Sequence, residues 1–181
     1  MIPAGYMAKR IMQRPDWLEA PNVEDIYSVS GCCSENFADY ISYWEHNGYW
    51  LFNSVKAIQS LAAEHSLDLT GCRFFFYEIS DLQFDEGMKK WQSFEPEKFY
   101  TDVIFPAKAQ LEGYDVVTFW ARSSPECSPL SCNYLAMKIP VNRHCLLGSF
   151  EEAKRLVESG AFDHSEPGPY RIFAVYSVIQ A

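Results

Sequence analysis

Apolar positions along the chain change their period several times, and each change marks an element. Tyr6 to Met12 alternates, with Met7, Lys9 and Ile11 on one side, which predicts a strand ended by Pro15. Asp16 to Val23 carries Pro21 and reads as a loop, tacked to the core by Trp17 and Leu18. Glu24 to Ser30 alternates again and predicts a second strand, broken by Gly31. Phe37, Tyr40, Ile41 and Trp44 then fall at i, i+3, i+4 and i+7, the spacing of one helix face. Ser34 stands in the N-cap position, Glu35 and Asp39 lie near the positive end of that helix dipole, and Asn47-Gly48 supplies a stop. A further helix is expected over Ser54 to His65, burying Val55, Ile58, Leu61 and Ala62.

Cys72 to Ile79 is an aromatic run whose near-continuous apolarity predicts a strand covered on both faces. Residues 81 to 97 keep no single period and are interrupted by Gly87. Phe99 to Phe105 reads as an edge strand stopped by Pro106, and Tyr114 to Ala121 as a buried strand after a Glu112-Gly113 turn. Val141 to Leu147 reads as a short strand. Ser149-Phe150-Glu151-Glu152 is a capping box, opening a helix that runs to Ser159 and stops at Gly160. Phe150, Ala153, Leu156 and Val157 face inward from it. Its i,i+4 pairs, Glu151 with Arg155 and Lys154 with Glu158, contribute only ~0.3 kcal/mol each. Pro167 to Pro169 leads into a final strand, Tyr170 to Val178.

No internal repeat, low-complexity tract or linker stands out. Strands and helices do not alternate regularly enough for a doubly wound sheet. The expectation is therefore an α+β fold, a single domain over residues 1–181, with one mostly antiparallel sheet and three to four helices packed against it.

Composition agrees with a buried core. The chain has 181 residues, 48% hydrophobic and 22% charged, which excludes a disordered chain. At this size roughly 70% of the unfolded surface is removed from water on folding, so disulfides are not needed. Aromatic content of 16% is high and suits either a dense core or a groove for a flat ligand. The formal charge is −9, and neither Lys9-Arg10 with Arg14 nor Lys89-Lys90 makes a polybasic patch. Nucleic acid and anionic membrane are thus disfavoured as partners. Met1 to Gly5 lacks an apolar signal core and no run reaches the length of a membrane span. The expected address is the cytoplasm, with six reduced cysteines.

Three of those cysteines, Cys127, Cys132 and Cys145, lie within nineteen residues beside His144. Ser128-Pro129 is a strong helix start, with Ser128 at N-cap and Pro129 at N1. The helix is expected to continue through Leu135 and end before Pro140. That places Cys127 at N′ and Cys132 at N4, so the two thiols fit a hydrophobic staple that fixes the helix entry. A second reading makes Cys127 a nucleophile, its pKa lowered at the helix N-terminus, with His144 as base and Glu126 or Asp115 orienting the imidazole. A third takes Cys127, Cys132 and His144, with Cys145, as zinc ligands. Against it, adjacent His144-Cys145 on a strand would point to opposite faces, and the same objection meets Cys32-Cys33.

From Pro15 to Val55 there are seven acidic residues and no lysine or arginine. The stretch also carries Trp17, Tyr43, Trp44 and Trp50. Acids around aromatic anchors suit a docking surface for a basic protein, as on an immunity protein that neutralises a toxin. They equally suit a solvated face over an aromatic core. The leading expectation is a non-enzymatic binding module without a cofactor. It would use Trp17, Tyr43, Trp44 and Trp50 to take a basic partner, a small ligand or a second copy of the chain. The alternative is a small thiol enzyme using Cys127, His144 and Glu126.

Overall fold

The computed structural model describes residues 1–94, 102–119 and 125–179. In chain order these form β1 (Ile2–Gln13), β2 (Asp25–Ile26), β3 (Ser34–Asn36), α1 (Val55–Glu64), β4 (Arg73–Ile79), β5 (Leu82–Asp85), β6 (Lys90–Ser93), β7 (Ala109–Thr118), α2 (Pro129–Cys132), α3 (Phe150–Glu158) and β8 (Tyr170–Val178). Two 3₁₀ turns cover Phe37–Tyr40 and Leu135–Met137. The strands make one sheet, and every described pairing is antiparallel. The α+β expectation therefore holds, with three α-helices among the described residues. No helix among these residues is long and apolar enough to cross a membrane.

At the centre β1, β4, β8 and β7 lie side by side in that order. β2 and β3 extend the free edge of β1, while the β5–β6 hairpin joins β8 beyond the end of β4. Phe75, Phe76, Tyr77 and Ile79 of β4 are all fully buried, as the aromatic run predicts. α1 and α3 begin where the caps predict. Ser54 Oγ accepts from Ala57 N and Ser149 Oγ from Glu152 N, 3.1 Å each. Each helix buries a narrow stripe, Ile58 with Ala62 and Ala153 with Val157.

Several expected elements do not form. The helix over Phe37 to Trp44 is a single 3₁₀ turn, because Ser34 does not cap it. The Ser34 hydroxyl donates to the Ile26 carbonyl, its own carbonyl accepts from Lys9, and residues Ser34–Asn36 pair with β1. Glu24 to Ser30 supplies only the two-residue β2. The helix after Ser128 stops at Cys132, and Tyr134 takes φ 62°, which a continuing helix forbids. Val141 to Leu147 is a turn rather than a strand. The Phe99 to Phe105 expectation falls partly on residues 95–101, outside those described, and 102–105 form no strand. Leu18 is buried as expected, but Trp17 stays 44% exposed.

An internal repeat organises the sheet. β1 and β7 each carry a one-residue bulge followed by a glycine, Ala4-Gly5 and Glu112-Gly113. In each case an asparagine from a later loop donates Nδ2–H to the bulge carbonyl at 2.7 Å: Asn47 to Ala4 and Asn142 to Glu112. The Oδ1 atoms accept from Tyr49 N and Leu51 N in one copy, and from His144 N and Leu146 N in the other. Trp50 and Cys145 hold matching positive φ values of 56° and 62°. Tyr6 bridges Phe52, Tyr114 bridges Leu147, and a serine-capped helix and a strand follow each time. Gly5 pairs with Tyr77, Gly113 with Val175, and Tyr77 with Val175. The two halves are thus related by an approximate two-fold at the Tyr77–Val175 pair. Both glycines are required: a Cβ would sit 2.7 Å from Phe52 O at Gly5 and 2.8 Å from Leu147 O at Gly113.

Candidate functional site

The halves meet in a cluster of thiols. Gly31, Cys32 and Cys33 form a bend rather than a strand, so the adjacent side chains are not forced to opposite faces. Facing them, Cys127 itself bridges to Thr118 and Cys132 ends α2. The sulfurs of Cys32, Cys127 and Cys132 all lie within 4.8 Å of one another, and Cys33 Sγ is 4.0 Å from Cys132 Sγ. Cys32 donates its S–H to the Glu126 carbonyl at 3.1 Å, and Cys127 to Asn133 Oδ1 at 3.4 Å. Contact with the neighbouring thiols of Cys127, Cys32 and Cys33 pulls the pKa of Cys132 down. In return Cys127 and Cys33 are pushed up, first by that contact and then by burial. Of these thiols, Cys33 donates its S–H toward the Cys132 sulfur.

Two buried charges hold the thiol-bearing loops. The Lys9 ammonium, wholly enclosed, donates to the carbonyls of Val29, Ser30 and Ser34 at 3.1, 2.7 and 2.9 Å. Each of its three N–H groups thus has an acceptor. Burial lowers its pKa to about 7 against the opposing pull of Asp39 and Asp115. Asp115 accepts from Val29 N at 2.9 Å and from Ser128 Oγ at 2.6 Å, and Ser128 Oγ in turn accepts from Ser30 N at 3.3 Å. Burial raises Asp115 to about 7, with the Ser128 and Val29 hydrogen bonds opposing. Neither charge touches a sulfur through these bonds. They fix the backbone on which Cys32, Cys33 and Cys127 stand.

A groove of about 510 Å³ opens beside the cluster. Its lining includes the apolar Met7, Ile41 and Leu51, the acidic Asp39 and Glu126, the aromatic Trp44 and Trp50, and Cys32. Asp39 is held in place by accepting from Asn36 N at 3.1 Å. Trp44 stacks on Phe52 with ring centroids 4.3 Å apart, and Trp50 on His46 at 3.8 Å. The indoles are therefore fixed by aromatic neighbours as well as by the backbone.

No protein family, curated protein or solved structure matches this chain. Its residues alone carry the reading.

The residues singled out in the sequence separate into three places. Cys127 and Cys132 join the thiol cluster, where Glu126 offers its carbonyl to Cys32. His144 lies elsewhere. Its Nδ1–H donates to Asp25 Oδ1 at 2.5 Å, Nε2 is 3.7 Å from Glu112, and the ring stacks on Tyr27 at 3.9 Å. Asp115, expected near His144, instead grips Val29 and Ser128. Cys145 is buried in the core that α3 covers. Trp44 and Trp50 line the groove, whereas Trp17 meets Tyr134 edge-on and Tyr43 is 84% exposed. Sequence reasoning missed Lys9 and Asp39, and set Cys32 aside for its adjacency to Cys33. Gly31 immediately before the pair was the available signal, since it frees the backbone to turn.

Proposed function

We propose that the protein is a non-enzymatic binding module whose groove receives a basic side chain of a partner protein. One observation carries the reading: the acidic residues Asp39 and Glu126 line the same cavity as Trp44 and Trp50. A guanidinium or ammonium group is attracted by both surfaces, through charge and through the ring faces. The acidic stretch from Pro15 to Val55 and the net charge of −9 support it further, because they speed encounter with a basic partner. Free thiols in contact suit a reducing compartment, and we place the protein in the cytoplasm on that ground.

The test is a titration of the full chain with an arginine-rich peptide, followed by calorimetry at low and moderate salt. Binding is expected to weaken as salt rises. Asp39→Asn combined with Glu126→Gln should weaken it by about 10-fold or more, on the scale of ~1.4 kcal/mol per decade. Asp39→Asn keeps an acceptor for Asn36 N, so the turn survives. Trp50→Ala should weaken binding by a similar factor. An unchanged affinity in both variants overturns the reading.

A further inference from the structure

We propose that Cys32, Cys127 and Cys132 form a site for a thiophilic divalent cation, of which zinc is the commonest, with Cys33 in reach as the fourth sulfur. The proposal stands apart from the groove reading and holds or fails without it.

The geometry is the first argument. Tetrahedral zinc with Zn–S bonds of about 2.3 Å places its sulfurs roughly 3.8 Å apart. The three sulfurs of Cys32, Cys127 and Cys132, already within 4.8 Å of one another, need to close by about an ångström or less, and Cys33 Sγ lies 4.0 Å from Cys132 Sγ.

Preorganisation is the second. The two ligand-bearing segments are far apart in sequence, yet they are clamped together by bonds that involve no sulfur: Lys9 to three loop carbonyls, Asp115 to both segments, and Ser30 N to Ser128 Oγ. A site whose ligands are held before the metal arrives loses little ordering entropy on binding. Charge is the third. Three thiolates around a divalent cation leave one net negative charge, and the Lys9 ammonium is bonded to the Val29, Ser30 and Ser34 carbonyls that flank Cys32 and Cys33 along the chain. Cys32 comes from one side of the junction between the halves and Cys127 with Cys132 from the other, so the ion would tie the halves together.

Chemistry distinguishes this from a simple disulfide. One S–S bond uses two sulfurs and leaves the third in contact without a partner. Coordination uses all three, releasing up to three protons as the thiols become thiolates.

The experiment uses the full chain, purified with reductant and stripped with chelator, then titrated with cobalt(II) and back-titrated with zinc. One equivalent of cobalt should produce a thiolate-to-metal charge-transfer band and the intense visible bands of a tetrahedral ion, and zinc should abolish both. Cys132→Ser should weaken zinc binding by about 100-fold or more, measured against a chromophoric chelator, while Cys72→Ser leaves it unchanged. A second measurement needs no variant: zinc should protect Cys32 of the wild type from alkylation, as read by mass spectrometry, but not Cys72. Absence of a thiolate band at one equivalent overturns the proposal. So does unchanged affinity in Cys132→Ser, or alkylation of Cys32 at the same rate with and without zinc.

Discussion

Replacing Lys9 by methionine tests whether its charge is truly sealed within the fold. The variant keeps the length of the side chain and removes the three donors to Val29, Ser30 and Ser34. The absolute change in stability is a poor test, because losing the hydrogen bonds and losing the buried charge act in opposite directions. The pH dependence is sharper. Native Lys9 is lowered from 10.5 to about 7, so above about pH 7 the folded protein sheds a proton that the unfolded chain retains. Stability rises with pH wherever the unfolded state binds more protons, so the wild type should gain stability from about pH 7 to about 10.5. From about pH 7 to 9 that is on the order of 2–3 kcal/mol. Asp115 works in the opposite sense. Raised from 3.8 to about 7, it binds a proton in the native state that the unfolded chain has lost, so its contribution falls as pH climbs through that range. Comparing wild type with Lys9→Met cancels most of it. What survives has the same sign, since loss of the ammonium pushes Asp115 higher still and extends its decline in the variant. Urea denaturation of both proteins at about pH 6 and about pH 9 should therefore show the gap between them widening by about 2–3 kcal/mol in favour of the wild type. A gap constant to within about 0.5 kcal/mol would mean that Lys9 titrates alike in both states, and the buried-ammonium account would fall.

The bulge glycines offer a second check. Gly5→Ala and Gly113→Ala should each destabilise by about 2–4 kcal/mol in urea, to a similar extent, because both hold φ beyond +140° and both meet a backbone carbonyl. Gly71→Ala, with φ +79° and nothing within 4 Å, should lose only about 1–2 kcal/mol; equal losses at all three sites would refute the close-approach argument. Iodoacetamide at about pH 6 should label Cys32 ahead of Cys127, and Cys127 should resist until the protein unfolds. Rapid labelling of Cys127 in the native protein would instead favour the thiol-enzyme alternative, and a loss of that reactivity in His144→Gln would assign the base.

Elements with local signals were legible in the sequence. Ser54 and Ser149 capped helices because the hydroxyl, the recipient amide and the apolar stripe all lie within a few residues. The Cys72 to Ile79 run gave β4 because no helix presents so many consecutive aromatics to a core. The Phe37 to Trp44 periodicity failed for a non-local reason: Lys9 and Ile26 occupy Ser34, and pairing with β1 wins over propensity. The thiol site was hidden in the same way. Spacing along the chain judged Cys32-Cys33 by strand geometry, whereas a bend after Gly31 and the Asp115 clamp bring the pair to Cys127 and Cys132. An alternating strand pattern likewise does not reveal that Lys9 points inward, since its acceptors are carbonyls contributed by a loop twenty and more residues away. Even the repeat left a readable trace, an asparagine followed by leucine at +4 and serine at +7 in both Asn47 to Ser54 and Asn142 to Ser149.

That repeat has a consequence for how the molecule can vary. Were the halves separate chains joined as a symmetric dimer, every residue would appear twice, and a substitution suiting one location would be imposed on its mirror. Carried on one polypeptide, the copies are released from that constraint. At the matching left-handed positions an indole, Trp50, lines a groove while a thiol, Cys145, is sealed in the core. Beside them Tyr49 and His144 occupy corresponding places with different chemistry. The covalent link also keeps the partner half at a fixed high effective concentration, so assembly does not depend on how much protein is present. One half is thereby free to specialise while the other preserves the shared frame.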